Sequence, residues 1–186
     1  GLDESWLDVG GSAGLFGDGR QIADTLRTRI KREIGLTVSV GVSFNKVFAK
    51  LGSDYKKPDA TTVITRENYR QVVWALPVGD LLYVGPATAQ KLGRYGIRTI
   101  GALARASPAF LHTVLGRVGV MLWRFANGLD RSGVSACCAV PPVKSVGNST
   151  TAPRDLVSDD DVKITLYALC ESVAARLREQ RSMCST

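Results

Sequence analysis

Two carboxylates stand side by side near the start of the chain, Asp3 and Glu4, in the run Leu2-Asp3-Glu4-Ser5-Trp6-Leu7-Asp8-Val9. The run reads as the middle of an apolar strand, and two acids there lose hydration unless something positive compensates them. A divalent cation would do so, because hard oxygen ligands suit Mg2+. Neighbours on a regular strand face opposite ways. Both acids therefore reach one ion only at a strand end, a turn or a bulge. A solvated turn accounts for the same pair without any metal.

A second set of chemical groups is basic. Lys46, Lys50, Lys56 and Lys57 lie at or beyond a helix that the sequence places after Ser43. Lys46 and Lys50 are four apart and share a helical face. Lys57 precedes Pro58, which favours an extended loop, and a lysine there offers a mobile point charge to a triphosphate. An ordinary exposed lysine is the other reading. The third set is Tyr83-Val84-Gly85-Pro86-Ala87-Thr88-Ala89-Gln90-Lys91-Leu92, continued by Gly93-Arg94-Tyr95-Gly96-Ile97-Arg98. A glycine turn at a helix start leaves backbone N–H groups unpaired and aimed outward, as in a phosphate clamp. Such a clamp holds the nucleic-acid backbone and reads no bases, so its affinity falls with salt. A plain helix–turn–helix connection has the same pattern, but the flanking Lys91, Arg94 and Arg98 favour the clamp.

The elements that must position these groups follow from periodicity. Ile22, Leu26, Ile30 and Ile34 recur every four residues, giving a helical stripe that stops near Gly35. Leu36, Val38, Val40 and Val42 alternate with polar or small residues, the mark of a half-buried strand. Ser43 is placed to cap a helix over 44–54 with Val47, Phe48 and Leu51 inward. Thr61–Thr65 reads as another strand. Strand, helix, strand, helix, strand suits half of an α+β domain. From 67 to 129 short helices alternate with glycines, as in a small all-helical domain. Pro141-Pro142 punctuates a linker over 132–142. Val143–Thr151 is expected to be a strand, and a long helix follows. Asp159, Asp160 and Asp161 stand at that helix's start and Arg176, Arg178 and Arg181 towards its end, an order that suits the helix dipole. The chain opens inside a strand pattern and closes on a single strand and helix, so it is expected to be an internal piece of a longer protein.

Composition narrows the class. Net charge is +7, unevenly placed: residues 1–64 hold 9 basic and 8 acidic side chains, 65–131 hold 9 and 3, and 132–186 hold 6 of each. A basic middle third is the footprint of a nucleic-acid contact, although a soluble surface explains charge too. No apolar run approaches membrane length. Cys137, Cys138, Cys170 and Cys184 form no C-x-x-C pair, and the lone His112 completes no zinc set with them. They read as reduced, mostly buried thiols of a cytoplasmic protein. Trp6, Trp74 and Trp123 are scattered and read as core. His112 is given no role.

Together these segments resemble the Y-family DNA polymerases, of the bacterial lesion-bypass type. Residues 2–9 look like the family's palm signature, with Gly1 where Ser is usual. Residues 39–50 resemble its strand-to-helix block, and Lys56-Lys57-Pro58-Asp59 the Lys-Pro segment that follows. Residues 85–92 are similar to the thumb's helix-hairpin-helix, with Pro86-Ala87 in place of the commoner hydrophobic-Gly pair. Trp123–Asp130 looks like the thumb's end, and Lys144–Thr151 like the first strand of the little finger. Single motifs of this kind are weak, but six in family order are specific.

The resemblance implies an α+β partial palm (a split βαβ, ferredoxin-like half) over 1–65. A helical thumb with a helix-hairpin-helix follows over 66–131, then the linker, then the first part of a little finger over 143–186. It implies a low-fidelity, template-directed nucleotidyltransferase for translesion synthesis in DNA repair and replication, with two Mg2+ ions in the complete enzyme. Asp3 and Glu4 would be the catalytic, metal-binding acids, and Lys57 would meet the incoming dNTP. Primer-template DNA would be held by Gly85, Ala87, Thr88, Lys91, Arg94, Arg98, Lys144 and Ser145. A sliding clamp would be met, if at all, through a segment beyond residue 186. The family's other metal-binding Asp and its fingers lie upstream of the acidic pair, so this chain alone is expected to be inactive yet to bind DNA. A nucleotidyl cyclase would use a similar sheet with paired acids, but needs no hairpin. A non-catalytic helix-hairpin-helix module would leave Asp3 and Glu4 unexplained.

Overall fold

The computed structural model describes residues 3–137, 139 and 143–184. The chain divides into two compact units, residues 1–135 and 136–186. In the first, helix α1 (Ala13–Phe16) leads into α2 (Gly19–Ile34), strand β1 (Val40–Ser43), helix α3 (Lys46–Tyr55) and strand β2 (Thr61–Ile64). Five further helices follow: α4 (Tyr69–Val73), α5 (Pro86–Gly93), α6 (Ile100–Arg105), α7 (Pro108–Leu115) and α8 (Arg117–Ala126). A 3-10 turn at Val78–Asp80 precedes α5.

Local chemistry sets these boundaries. Asp18 accepts from the Gln21 N–H at 2.8 Å while Gln21 reaches back to the Asp18 N–H, a capping box that starts α2. Gly35 ends it at φ 78, in the left-handed region that a C-terminal cap requires. β1 and β2 pair in parallel, Val40 opposite Thr61 through Ser43 opposite Ile64, with α3 as the crossover. The approach of α3 to β1 is close: a Cβ on Gly41 would stand 1.8 Å from the Ala49 carbonyl oxygen, so no other residue fits there.

One apolar core runs from Val47, Phe48 and Leu51 on α3, through Ile64 and Val73, to Leu103, Leu111, Leu122 and Ala126. Polar ties follow it. The Trp74 indole N–H donates to the Ala126 carbonyl at 3.0 Å, and the Asn127 amide donates to Ala104 at 3.1 Å. The segment after α8 returns to α3, where Gly128 lies against the Phe44 and Phe48 rings. In the second unit, helix α9 (Asp159–Glu179) starts at Ser158, which accepts from the Asp161 N–H, and Arg154 pairs with Asp161 at 2.6 Å.

Several expectations are corrected. Residues 3–9 form no strand but an irregular, largely exposed segment, and Gly1 and Leu2 lie outside the described residues. Residues 143–151 are likewise irregular; they lie along α9, held by Arg176 to the Gly147 carbonyl and by Asn148 to Ser172. In both places no neighbouring strand among the described residues supplies the hydrogen bonds that a strand requires. Leu36 is 61% exposed and the strand begins only at Val40. Helix α3 is capped by Asn45, whose side chain accepts from the Phe48 N–H at 2.8 Å. Ser43 instead belongs to β1 and donates across the sheet to the Ile64 carbonyl. Trp6 is 38% exposed, not core. Cys137, Cys170 and Cys184 are exposed, the second because α9 buries no residue fully. Cys138 and the Pro141-Pro142 pair lie outside the described residues.

Asp59 ties α2 to the loop before β2. It takes Lys31 at 2.8 Å and Arg27 at 2.8 Å, and these bonds, Lys31's first, hold its carboxyl below the usual range. A depressed native value stabilises the fold above the ordinary Asp value, and the stabilisation is lost as pH falls through the native one. Asp59→Asn keeps a residue that tolerates the observed φ of 50 while removing the charge. Its urea midpoint is expected to trail wild type near neutrality and to converge on it from about pH 4 downward. A gap that persists unchanged in acid would place the stabilisation elsewhere.

Candidate active site and nucleic-acid interface

A cavity of about 450 Å³ lies between the 3–9 segment, α2, β1 and α3. Its floor is the apolar stripe of α2, where Ile22, Leu26 and Ile30 face it. Its charged lining brings Asp3, Glu4, Lys50 and Lys57 to one space, so the acids and the loop lysine do not fall on opposite sides of the sheet. Trp6 anchors the segment that carries the acids: its indole N–H donates to the Lys46 carbonyl at 3.0 Å, and the Lys46 ammonium lies 5.8 Å from its ring centroid.

The charges around this space form a chain. Lys50 bonds Glu4 on one side and Asp54 at 2.9 Å on the other, and Asp54 holds Lys57 at 2.7 Å. Burial works against both central charges and is the largest single influence on each. The ion pairs outweigh it, so the Lys50 ammonium is raised above its usual value and the Asp54 carboxyl is lowered. Lys50 and Asp54 were not among the expected site residues, although helical spacing of four, then three, along Lys50, Asp54 and Lys57 was available to find them.

Mg2+ commonly takes one or two carboxylates, with water and substrate phosphates completing its octahedron. Asp3 and Glu4 supply that number of hard oxygen donors, and Lys50 occupies Glu4 as a cation would. The donor chemistry fits. Among the described residues no group of three or more His, Cys, Asp or Glu side chains is gathered for a metal.

The second candidate surface is built on α5. Gly85 caps it without a side-chain bond, Pro86 takes the first helical position, and the Ala89 N–H is the first to bond back, to the Gly85 carbonyl at 2.9 Å. Helix geometry leaves the Ala87 and Thr88 N–H groups without an intrahelical acceptor. Leu92 and Ile97 are buried beneath the turn, which holds Lys91, Arg94 and Arg98 exposed around it. None of these three cations is ion-paired among the described residues. Lys144 and Ser145 are exposed and belong to the second unit. No helix among the described residues is long and apolar enough to cross a membrane.

An acidic pair and a lysine line one cavity, and a helical segment with exposed cations follows, in a mixed α/β chain. Residues 1–54 match the model of the impB/mucB/samB family, and residues 143–186 match that of the impB/mucB/samB family C-terminal domain. A DNA polymerase IV of Acetivibrio thermocellus is 58% identical over 178 residues, covering 96% of this chain and 45% of that protein. DNA polymerase IV 2 of Bacillus subtilis is 38% identical over 189 residues, covering 100% and 46%. Among solved structures, the Y-family DNA polymerase chimera Dbh-Dpo4(243-245)-Dbh superposes with a TM-score of 0.74 at 22% identity, over 91% of this chain and 48% of that one. DinB from Sulfolobus solfataricus gives 0.60 at 25%, over 69% and 38%. The chain belongs to the impB/mucB/samB family, the Y-family polymerases of DNA polymerase IV type. It spans a little under half the length of the curated relatives it matches.

Proposed function

We propose that this chain is the acidic-pair and duplex-gripping part of a translesion DNA polymerase. In this reading residues 1–65 are palm, 66–131 thumb, 132–142 linker and 143–186 the start of the little finger. Asp3 and Glu4 would hold Mg2+, which when bound would supply Lewis-acid activation of the primer 3′-hydroxyl and charge stabilisation for phosphoryl transfer. Lys57 meets the triphosphate of the incoming dNTP, and Asp54 keeps that lysine at the cavity until phosphate competes for it. Gly85, Ala87 and Thr88 present backbone N–H groups to DNA phosphates, with Lys91, Arg94 and Arg98 adding charge and Lys144 and Ser145 a further contact. A soluble, cytoplasmic setting accords with this role, as does contact with a sliding clamp through a segment beyond residue 186. The observation that carries the reading is the single cavity shared by Asp3, Glu4 and Lys57.

The purified 186-residue chain is expected to extend no primer, since two carboxylates are a short set for two metals. It should nonetheless bind duplex DNA with an affinity that falls as salt rises. Each of Lys91→Gln, Arg94→Gln and Arg98→Gln should reduce the slope of log affinity against log salt by roughly 0.9, one phosphate contact apiece. Fluorescence anisotropy across a salt series reads this directly. A slope unchanged in all three variants refutes the hairpin as the DNA grip, and primer extension by the chain alone refutes its dependence on further acids.

A further inference from the structure

Helix α8 has two working faces. Gly119, Leu122 and Ala126 are buried in the core. Arg117, Val120, Met121, Arg124 and Phe125, spaced i, i+3, i+4, i+7 and i+8, line a separate cleft of about 410 Å³. Beyond the helix, Leu129, Asp130, Arg131 and Ser132 complete the lining.

Three guanidinium groups thus border one cleft with a single carboxylate. Asp130 is engaged locally, accepting from the Ser132 N–H at 3.1 Å and from its hydroxyl at 2.9 Å. None of the three arginines is ion-paired among the described residues. Arg117 also stands at the first position of α8, where no acidic residue and no side-chain cap offsets the positive end of the helix. A cation there opposes the helix dipole. This arrangement costs the fold stability and concentrates positive potential in a concave space, the condition under which an anion is drawn in.

The other half of the lining is apolar. Val120, Met121, Phe125 and Leu129 offer a surface suited to the flat face of a base, which a site for bare phosphate would not need. The aromatic wall continues outward: the Phe125 and Tyr83 ring centroids are 6.1 Å apart. Tyr83 is 67% exposed and sits at φ 70, an uncommon conformation for a tyrosine that keeps its ring at the surface two residues before Gly85.

We propose that this cleft seats one nucleotide of a single-stranded nucleic-acid segment. Its phosphates meet Arg117, Arg124 and Arg131, its base lies on Met121 and Phe125, and the strand passes Tyr83 towards Gly85. Only that last continuation rests on the DNA-binding reading of the hairpin. A duplex is a poor occupant, because paired bases present edges and not the free face that an apolar wall takes.

The test compares two double variants of the chain, Arg117→Gln/Arg124→Gln and Lys91→Gln/Arg94→Gln, on a labelled oligothymidylate and on a duplex, with folding checked by circular dichroism. The cleft variant is expected to lose about tenfold in single-strand affinity at low salt and to lower the salt slope by roughly 1.4, two single-strand phosphate contacts. Its duplex binding should stay within about twofold, while the hairpin variant loses duplex binding. Ultraviolet crosslinking of a 5-iodouracil oligonucleotide to the wild-type chain should mark Tyr83, Met121 or Phe125 in the mapped peptides. Unchanged single-strand affinity in the cleft variant, or crosslinks only outside these residues, overturns the proposal. Thymidine triphosphate that competes as well as the oligonucleotide, nucleotide for nucleotide, overturns the assignment to a strand. A hairpin variant with normal duplex binding refutes the hairpin reading and leaves the cleft standing.

Discussion

Gly41→Ala is expected to destabilise the first unit by about 3 kcal/mol, the upper end of the usual cost of overpacking a core. The methyl would meet the Ala49 carbonyl oxygen at 1.8 Å and the Ser53 nitrogen at 2.5 Å, both of them backbone atoms of α3. A flexible side chain could swing away, but a helix backbone moves only as a whole. That helix also carries Lys50 and Asp54, so displacing it disturbs the cavity rim as well as the core. Gly52 reinforces the point from the other side, its Cβ position lying 3.1 Å from the Gly41 Cα. Gly93→Ala is the matched contrast. Its Cβ would meet nothing within 4 Å at the end of α5, and removing a glycine there should stabilise by roughly 0.5 kcal/mol. All three tryptophans lie in the first unit, so urea unfolding followed by their fluorescence reports that unit. A melting temperature for Gly41→Ala within a degree or two of wild type would show that α3 is not pressed against β1 as described.

The sequence carried some of this architecture and withheld the rest for identifiable reasons. Helix α2 was legible because its signals are local: an isoleucine-leucine stripe every four residues and a glycine to end it. The helix dipole order of α9, acids first and arginines last, was legible in the same way. Strand identity is not local. Residues 3–9 and 143–151 read as strands, but such a segment becomes a strand only with a neighbour to complete its hydrogen bonds. Ser43 and Asn45 both offer a cap for α3, since serine and asparagine both cap well. What separates them is that the Ser43 hydroxyl is engaged across the sheet by Ile64.

The candidate site divides along the same line. Asp3, Glu4 and Lys57 could be singled out by type, but only folding sets them around one cavity. The Lys50–Asp54–Lys57 chain was present as helical spacing, yet helix surfaces carry many such pairs. What makes this one matter is that Glu4, forty-six residues earlier in sequence, joins it through Lys50. The α8 cleft shows the converse case. Its i, i+3, i+4, i+7 stripe reads as an ordinary amphipathic face until the return of residues 129–132 borders it.

The chain of charges makes the second large prediction. In a full-length polymerase that contains this segment, Glu4→Gln should lower the rate of primer extension by at least on the order of a hundredfold. That is the usual loss when one group stabilising transition-state charge is removed. The substitution preserves size and hydrogen bonding, so DNA affinity should hold. Lys50→Met separates metal binding from simple ion pairing. In the resting chain Lys50 neutralises Glu4, so an arriving cation must displace it. A unit charge a few ångströms away contributes about 1 kcal/mol in water and about 4 kcal/mol near a protein surface. Removing the competitor should therefore lower the Mg2+ concentration for half-maximal activity by roughly tenfold, within that range. The Lys57 contact should weaken little, because Asp54 keeps its own bond to Lys57 when Lys50 is gone. A Mg2+ titration at saturating dNTP and a dNTP titration at saturating Mg2+ distinguish the two effects. If Lys50→Met leaves the Mg2+ requirement unmoved, Glu4 is a partner of Lys50 alone, and the metal is held by other groups.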